Sequence, residues 1–174
     1  MLRAYVLFRI WNTLRELVGE ASLREIARKT KVSPSSAKQW IDFLFQQGML
    51  AKRTVGTAHQ YRLDSGNALT RQAKVLTTIS ELNQGIQQLR KHPILSLVLY
   101  GSSATGEDDA KSDIDLLAIV SKRSEIHINS TSSREVSLLQ FTSSEWRRQA
   151  NENKVFYEQV VFKGVVLLGE RPVV

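Results

Sequence analysis

Apolar residues recur at three- and four-residue intervals from the start of the chain. Tyr5, Phe8, Trp11, Leu14, Leu17 and Val18 predict a helix over residues 3–18, stopped by Gly19. Ser22 follows as an N-cap, and Glu25 three residues on completes a capping box for a helix over Leu23–Thr30 that buries Leu23, Ile26 and Ala27. Ser33 caps the next helix. Pro34 opens it, where a missing N–H costs nothing, and it runs to about Gln47 with Ala37, Ile41 and Leu44 inward and Gly48 as its stop. Two short strands, Met49–Arg53 and Ala58–Leu63, flank Val55-Gly56-Thr57 and read as a hairpin.

Asp64-Ser65-Gly66-Asn67 is a turn cluster and the natural domain boundary. Beyond it Leu69, Ala73, Leu76, Ile79, Leu82, Ile86 and Leu89 form one apolar stripe, a connecting helix over residues 67–93 that ends before Pro93 and packs on the sheet of a rear domain. Ile94–Tyr100 and Leu116–Val120 are near-continuous apolar runs, the mark of buried strands. Glu135–Thr142 reads as a third strand, Ser143 or Ser144 as the cap of a helix through Glu145 and Trp146, and Gly164–Glu170 as a last strand after a helix carrying Phe156, Val160 and Val161. The class is α+β, with domains at 1–66 and 94–174 joined by the connecting helix.

Helix, short helix, turn, longer helix and a two-stranded wing make the stretch Leu23–Leu63 resemble the winged helix-turn-helix family. That resemblance implies DNA binding, with Ser35, Ser36, Lys38 and Gln39 facing the major groove and Lys52, Arg53 and His59 on phosphates. Charge agrees with this placement. Residues 1–66 hold 11 Lys/Arg against 5 Asp/Glu, residues 67–93 hold 4 against 1, and residues 94–174 hold 9 against 11. A polyanion partner, if the basic helices are more than well solvated, therefore belongs to the front. Trp40 and Phe43 fall on the face of their helix that should stay wet, which points to an interface, either a homodimer or a contact with the second domain.

The chemistry lies in the rear. From Leu97 the chain reads LVLYGSSATGEDDAKSDIDLL: an apolar strand ending at Gly101-Ser102, ten residues, then Asp113-Ile114-Asp115 running into another apolar strand. Side chains two apart on a strand point the same way, so Asp113 and Asp115 project together while Ile114 enters the core. Carboxylates held side by side repel unless a cation lies between them, and hard oxygen ligands favour Mg²⁺ or Mn²⁺. Gly101 lets backbone approach a ligand, Ser102 offers a hydroxyl, and N–H groups opening a short helix at Ser103–Glu107 suit phosphate oxygens.

Gly-Ser, ten residues, then Asp-x-Asp resembles the signature of the minimal nucleotidyltransferases of the DNA polymerase β superfamily, and the strands to Glu170 resemble their closing segment. The resemblance implies transfer of a nucleoside monophosphate from an NTP, ATP in the first instance, to a protein or nucleic-acid acceptor. Gly101 and Ser102 would hold nucleotide and Asp113 and Asp115 the metal. Similar small transferases are often paired with a small helical partner in toxin–antitoxin modules, which they modify. Two positions depart from the pattern. Thr105 stands where the family often has Arg, and Ser137 where an active member has a third carboxylate. Glu135, two residues earlier on the same face, is the alternative third catalytic carboxylate, unless it is a solvated residue at the strand's start. The competing function is a DNA-binding regulator whose transferase fold has lost catalysis.

Other chemistries are excluded or unsupported. The chain has no cysteine, so disulfides, thiolate catalysis and cysteine-held metals are absent, which suits a reducing cytoplasm. His59, His92 and His127 lack metal-ligand spacing. No apolar run reaches the ~18–20 residues that span a bilayer. The first residues, broken by Arg3 and Arg9, do not read as a signal peptide.

Overall fold

The computed structural model describes residues 5–123, 125, 126, 128 and 134–174, and the chain folds as two compact units, Met1–Arg71 and Gln72–Val174. No described helix is long and apolar enough to cross a membrane.

In the front unit α1 (Val6–Glu16), β1 (Ala21–Ser22), α2 (Leu23–Thr30) and α3 (Pro34–Gln46) precede the hairpin of β2 (Leu50–Val55) and β3 (Ala58–Leu63). Ser22 Oγ accepts from the Glu25 amide at 3.3 Å and Ser33 Oγ from the Ser36 amide at 3.2 Å, so both serines cap as their spacing predicts. Glu25 ion-pairs with Lys29. Ile10, Trp11, Leu14, Ile26, Ala27, Ala37, Ile41 and Leu44 are the buried face of these helices. The strand missed by periodicity is β1. Two residues are too few to show alternation, yet Ala21 and Ser22 pair with Tyr61 and Gln60, giving an antiparallel sheet of order β1-β3-β2.

Helix α4 (Ala68–Leu89) contains the unit boundary, between Arg71 and Gln72, and corrects the expected stripe. Leu82, Ile86 and Leu89 are buried against the rear sheet as predicted, but Leu69 and Leu76 are more than half exposed. The residues that turn inward in their place are Thr70, Lys74, Thr77 and Thr78. Val75 is buried beside them, so the inward face of that half of the helix mixes polar and apolar residues and hydropathy alone misplaces it.

The rear sheet has order β6-β5-β4-β7, from β4 (Ile94–Tyr100), β5 (Ile114–Val120), β6 (Val136–Thr142) and β7 (Val165–Gly169). Strand β4 pairs antiparallel with β5 and β7, while β5 and β6 are parallel. Alternation sorts the two central strands onto two cores. Leu97, Leu99, Ile114, Leu116, Ala118 and Val120 pack with α4. Val98, Tyr100, Leu117 and Ile119 pack with Trp146, Val160 and Val161, which lie on α6 (Ser143–Glu152) and a π-helix (Gln159–Lys163) that continues α7 (Lys154–Glu158). The cap of α6 is Thr142, one residue before the expected serines. Its Oγ1 accepts from the Glu145 amide and its own amide donates to Glu145 Oε2 at 2.8 Å, a reciprocal box that a serine one position later could not close.

Candidate active site

The site starts where β4 runs out. Tyr100, its last residue, is paired with Asp115, so the turn that follows passes directly over that carboxylate. Gly101 makes the turn with φ 70° and ψ −156°, a conformation open essentially to glycine. A Cβ built there would lie 2.6 Å from Asp115 Oδ2. Helix α5 (Ser102–Thr105) follows, shorter than the predicted 103–107, because Gly106 adopts a left-handed conformation and ends it. The Ser102 carbonyl accepts from the Glu107 amide at 3.0 Å, which closes the loop back on itself.

Asp113 stands immediately before β5, not within it as the strand reading had it, and its own carbonyl accepts from Ser103 Oγ at 3.2 Å. Ile114 between the two acids is fully buried, so the acids flank a fixed point. Burial first, and then the charge of Asp113, pushes the Asp115 carboxyl above its ordinary value. Burial and Asp115 likewise push the Tyr100 phenol up. A half-buried carboxylate raised by a neighbouring one is short of positive charge, and a hard dication between them would supply it. Such a pair suits a hard divalent cation, and Asp113 and Asp115 are the carboxylates that would hold it. Among the described residues no group of three or more His, Asp or Glu side chains gathers in a metal-holding cluster. His127 lies outside the described residues.

Ser137, the position expected from the resemblance to carry a third carboxylate, lies next to Asp115. In the parallel register Asp115 stands beside Ser137, and paired residues share a sheet face. Ser137 is exposed there. Glu135 lies just outside β6, also exposed, and its carbonyl accepts from the Ile114 amide at 2.9 Å. Thr105, where the family often has Arg, bonds the Ser102 carbonyl and the Glu107 carboxylate.

One part of the site has no signal in the spacing. Arg134 is buried, and its guanidinium bonds Asp108 Oδ2 at 2.6 Å, Thr78 Oγ1 at 2.9 Å and Ser103 Oγ at 3.3 Å. Lys74, also buried, donates to the Asp108 carbonyl. The pattern that foretells this is indirect: three threonines and a lysine interrupt the apolar side of α4, and a polar stripe facing inward demands buried polar partners.

In the front unit the residues proposed for DNA are on the surface. Ser35, Ser36, Lys38 and Gln39 lie along the first two turns of α3, Lys38 bonded to Asp42, which raises its pKa. Lys52 sits 4.6 Å from the Phe45 ring centroid, Arg53 is paired with Glu20, and His59 Nδ1 lies 3.2 Å from Thr54 Oγ1. Trp40 is half-buried and Phe43 exposed, their rings edge to face at 6.1 Å.

Comparison with known proteins names the class. Residues 79–164, which hold the Gly-Ser turn and both aspartates, match the family model described as "Nucleotidyltransferase domain". Domains of that family in general use an NTP and a divalent metal, and a nucleotidyltransferase-like function follows in those general terms. No curated protein matches the chain. Among solved structures, Pseudomonas aeruginosa HmgR is similar at 17% identity over 80% of this chain, with a TM-score of 0.38. This chain covers 53% of that protein, and a likeness of this degree carries no argument about fold or function.

Proposed function

We propose that the rear unit transfers a nucleoside monophosphate from an NTP to a hydroxyl of a protein or nucleic-acid acceptor. The observation carrying this reading is the close approach of Gly101 to Asp115, with Asp113 beside it. A side-chain-free turn over a carboxylate pair leaves room for a triphosphate at the metal-binding acids. Asp113 and Asp115 would hold a dication, Mg²⁺ or Mn²⁺, which when bound neutralises the triphosphate and the departing pyrophosphate. Gly101 and Ser102 would orient the phosphates. The acceptor oxygen forms a bond to the α-phosphorus as the bond from that phosphorus to the pyrophosphate oxygen breaks. The acceptor's proton leaves to solvent or to Glu135. ATP is the NTP to try first, and a small helical partner protein is a candidate acceptor.

The front unit, in the same proposal, is a winged helix-turn-helix that binds duplex DNA through α3 and the β2–β3 hairpin, with Trp40 and Phe43 available to a second copy. One observation favours a second reading, a DNA-binding regulator with an impaired site: Ser137, not a carboxylate, stands in register with Asp115. Calorimetry with Mg²⁺–ATP tests the site and a labelled-NTP transfer assay tests turnover. Binding should vanish when Asp113→Asn and Asp115→Asn are combined, and unchanged binding in that double variant would overturn the proposal. Binding without transfer selects the regulator.

A further inference from the structure

We infer that Arg134 is the positioning residue of the transfer site, tying helix α4 to the Gly-Ser turn and, through Ser103, to Asp113. The inference rests on the transferase reading for its purpose but on independent geometry for its substance. A guanidinium presents donors in a rigid planar fork, and this one is used in three directions at once: Asp108 beyond α5, Thr78 on α4 and Ser103 within α5. Ser103, fully buried, passes the connection on by donating to the Asp113 carbonyl. Lys74 holds the Asp108 backbone from the other side.

The loop that needs this support is evident. Between the end of β4 and the start of β5 the chain has only the one-turn helix α5, and the hydrogen bond that ties the turn directly to Asp113 is the one from Ser103 Oγ, the same hydroxyl that Arg134 holds. Thr105, in place of the Arg the family pattern leads one to expect, bonds only within the loop. Arg134, brought back from just before β6, anchors that loop to α4. A buried charge pair is an expensive way to stabilise a fold, but a good way to fix one arrangement among several.

The test uses the full chain with Ser103→Ala, which removes the link to Asp113 and leaves the Arg134–Asp108 pair, and with Arg134→Lys, which keeps the charge but not the fork. Each is read in Mg²⁺–ATP calorimetry and in amide hydrogen exchange at Ala104, Glu107 and Ile114, whose acceptors are Gly101, Ser102 and Glu135. Ser103→Ala should lower affinity about tenfold, the size typical of losing a partner behind a metal ligand. Exchange should speed up at those three amides while the β4–β5 ladder stays protected. Unchanged affinity and exchange would overturn the inference, as would uniform acceleration of every protected amide, the mark of a merely structural role. If the wild type binds no Mg²⁺–ATP, the transferase reading fails and the exchange pattern alone decides whether Arg134 sets the loop.

Discussion

Gly101 and Asp115 fit each other by exclusion, since a Cβ on the glycine would lie 2.6 Å from the carboxylate oxygen. Gly101→Ala must move that oxygen or the turn, and it also forces an L-residue into a conformation that costs about 1–3 kcal/mol. We expect the variant to melt several degrees lower and to lose Mg²⁺–ATP binding in calorimetry. Wild-type binding in a folded Gly101→Ala protein would show that the close approach has no functional purpose.

Asp115 should be a burden on the metal-free protein. Its folded pKa lies above the ordinary 3.8, so the stability linked to its proton is complete below that value and is lost as pH rises through the folded one. Asp115→Asn should therefore melt higher than wild type at neutral pH without metal, the gap closing toward pH 3. Added Mg²⁺ should raise the wild-type midpoint and leave the variant's unchanged. Thermal melts across a pH series read both effects.

Ser137→Asp should increase transfer, because it sets a third carboxylate beside Asp115 in the parallel register. Glu135→Gln should change little. Two residues along a strand amount to about 6.6 Å, more than the ~3.5–4 Å between two catalytic metals. A large loss of labelled-nucleotide transfer in Glu135→Gln would identify that residue as the third carboxylate and the wild type as a competent enzyme.

DNA affinity, if phosphates supply it, should fall linearly in log–log against salt. Lys52→Ala should lower the magnitude of the slope by about 0.9, one phosphate contact on duplex DNA. Arg53→Ala should do less, since Arg53 is shared with Glu20. A flat salt response of the full chain would remove DNA from the front unit's repertoire.

Glu145 predicts an acid-side effect. The Thr142 amide, with Arg123 and the Thr142 hydroxyl assisting, lowers its pKa from 4.5 to about 2. The stability this supplies is complete above the ordinary value and is lost as pH falls toward 2. Glu145→Gln should melt lower than wild type at pH 7, with the difference fading between pH 4.5 and 2.

The parts of the site legible in the sequence are those held by neighbours along the chain. Gly101, Asp113 and Asp115 sit at the ends of two apolar runs whose boundaries hydropathy marks well, and Ser33-Pro34 fixes the start of α3. The parts that were hidden are held across the fold. Arg134 contacts Thr78, 56 positions away, and no local period records such a distance. Leu76, which the apolar stripe places on the inner face, is exposed for the same reason. Lys74 and Thr78 beside it are buried where they meet Asp108 and Arg134, partners that come from other elements.

Strand β4 has consequences for the order in which the protein is made. It carries Tyr100 and delivers Gly101, but one of its two edges is completed only by β7, residues 165–169. That strand lies so close that a Cβ at Gly169 would fall 1.9 Å from the Leu95 carbonyl oxygen. A growing chain that has released the Gly-Ser turn and both aspartates still lacks the partner that closes their sheet. During synthesis the front unit can fold early, since domains generally form as units from the N-terminus. The rear unit must wait for β7, so the front unit could mature on the ribosome before the Gly-Ser turn and the two aspartates reach their final geometry.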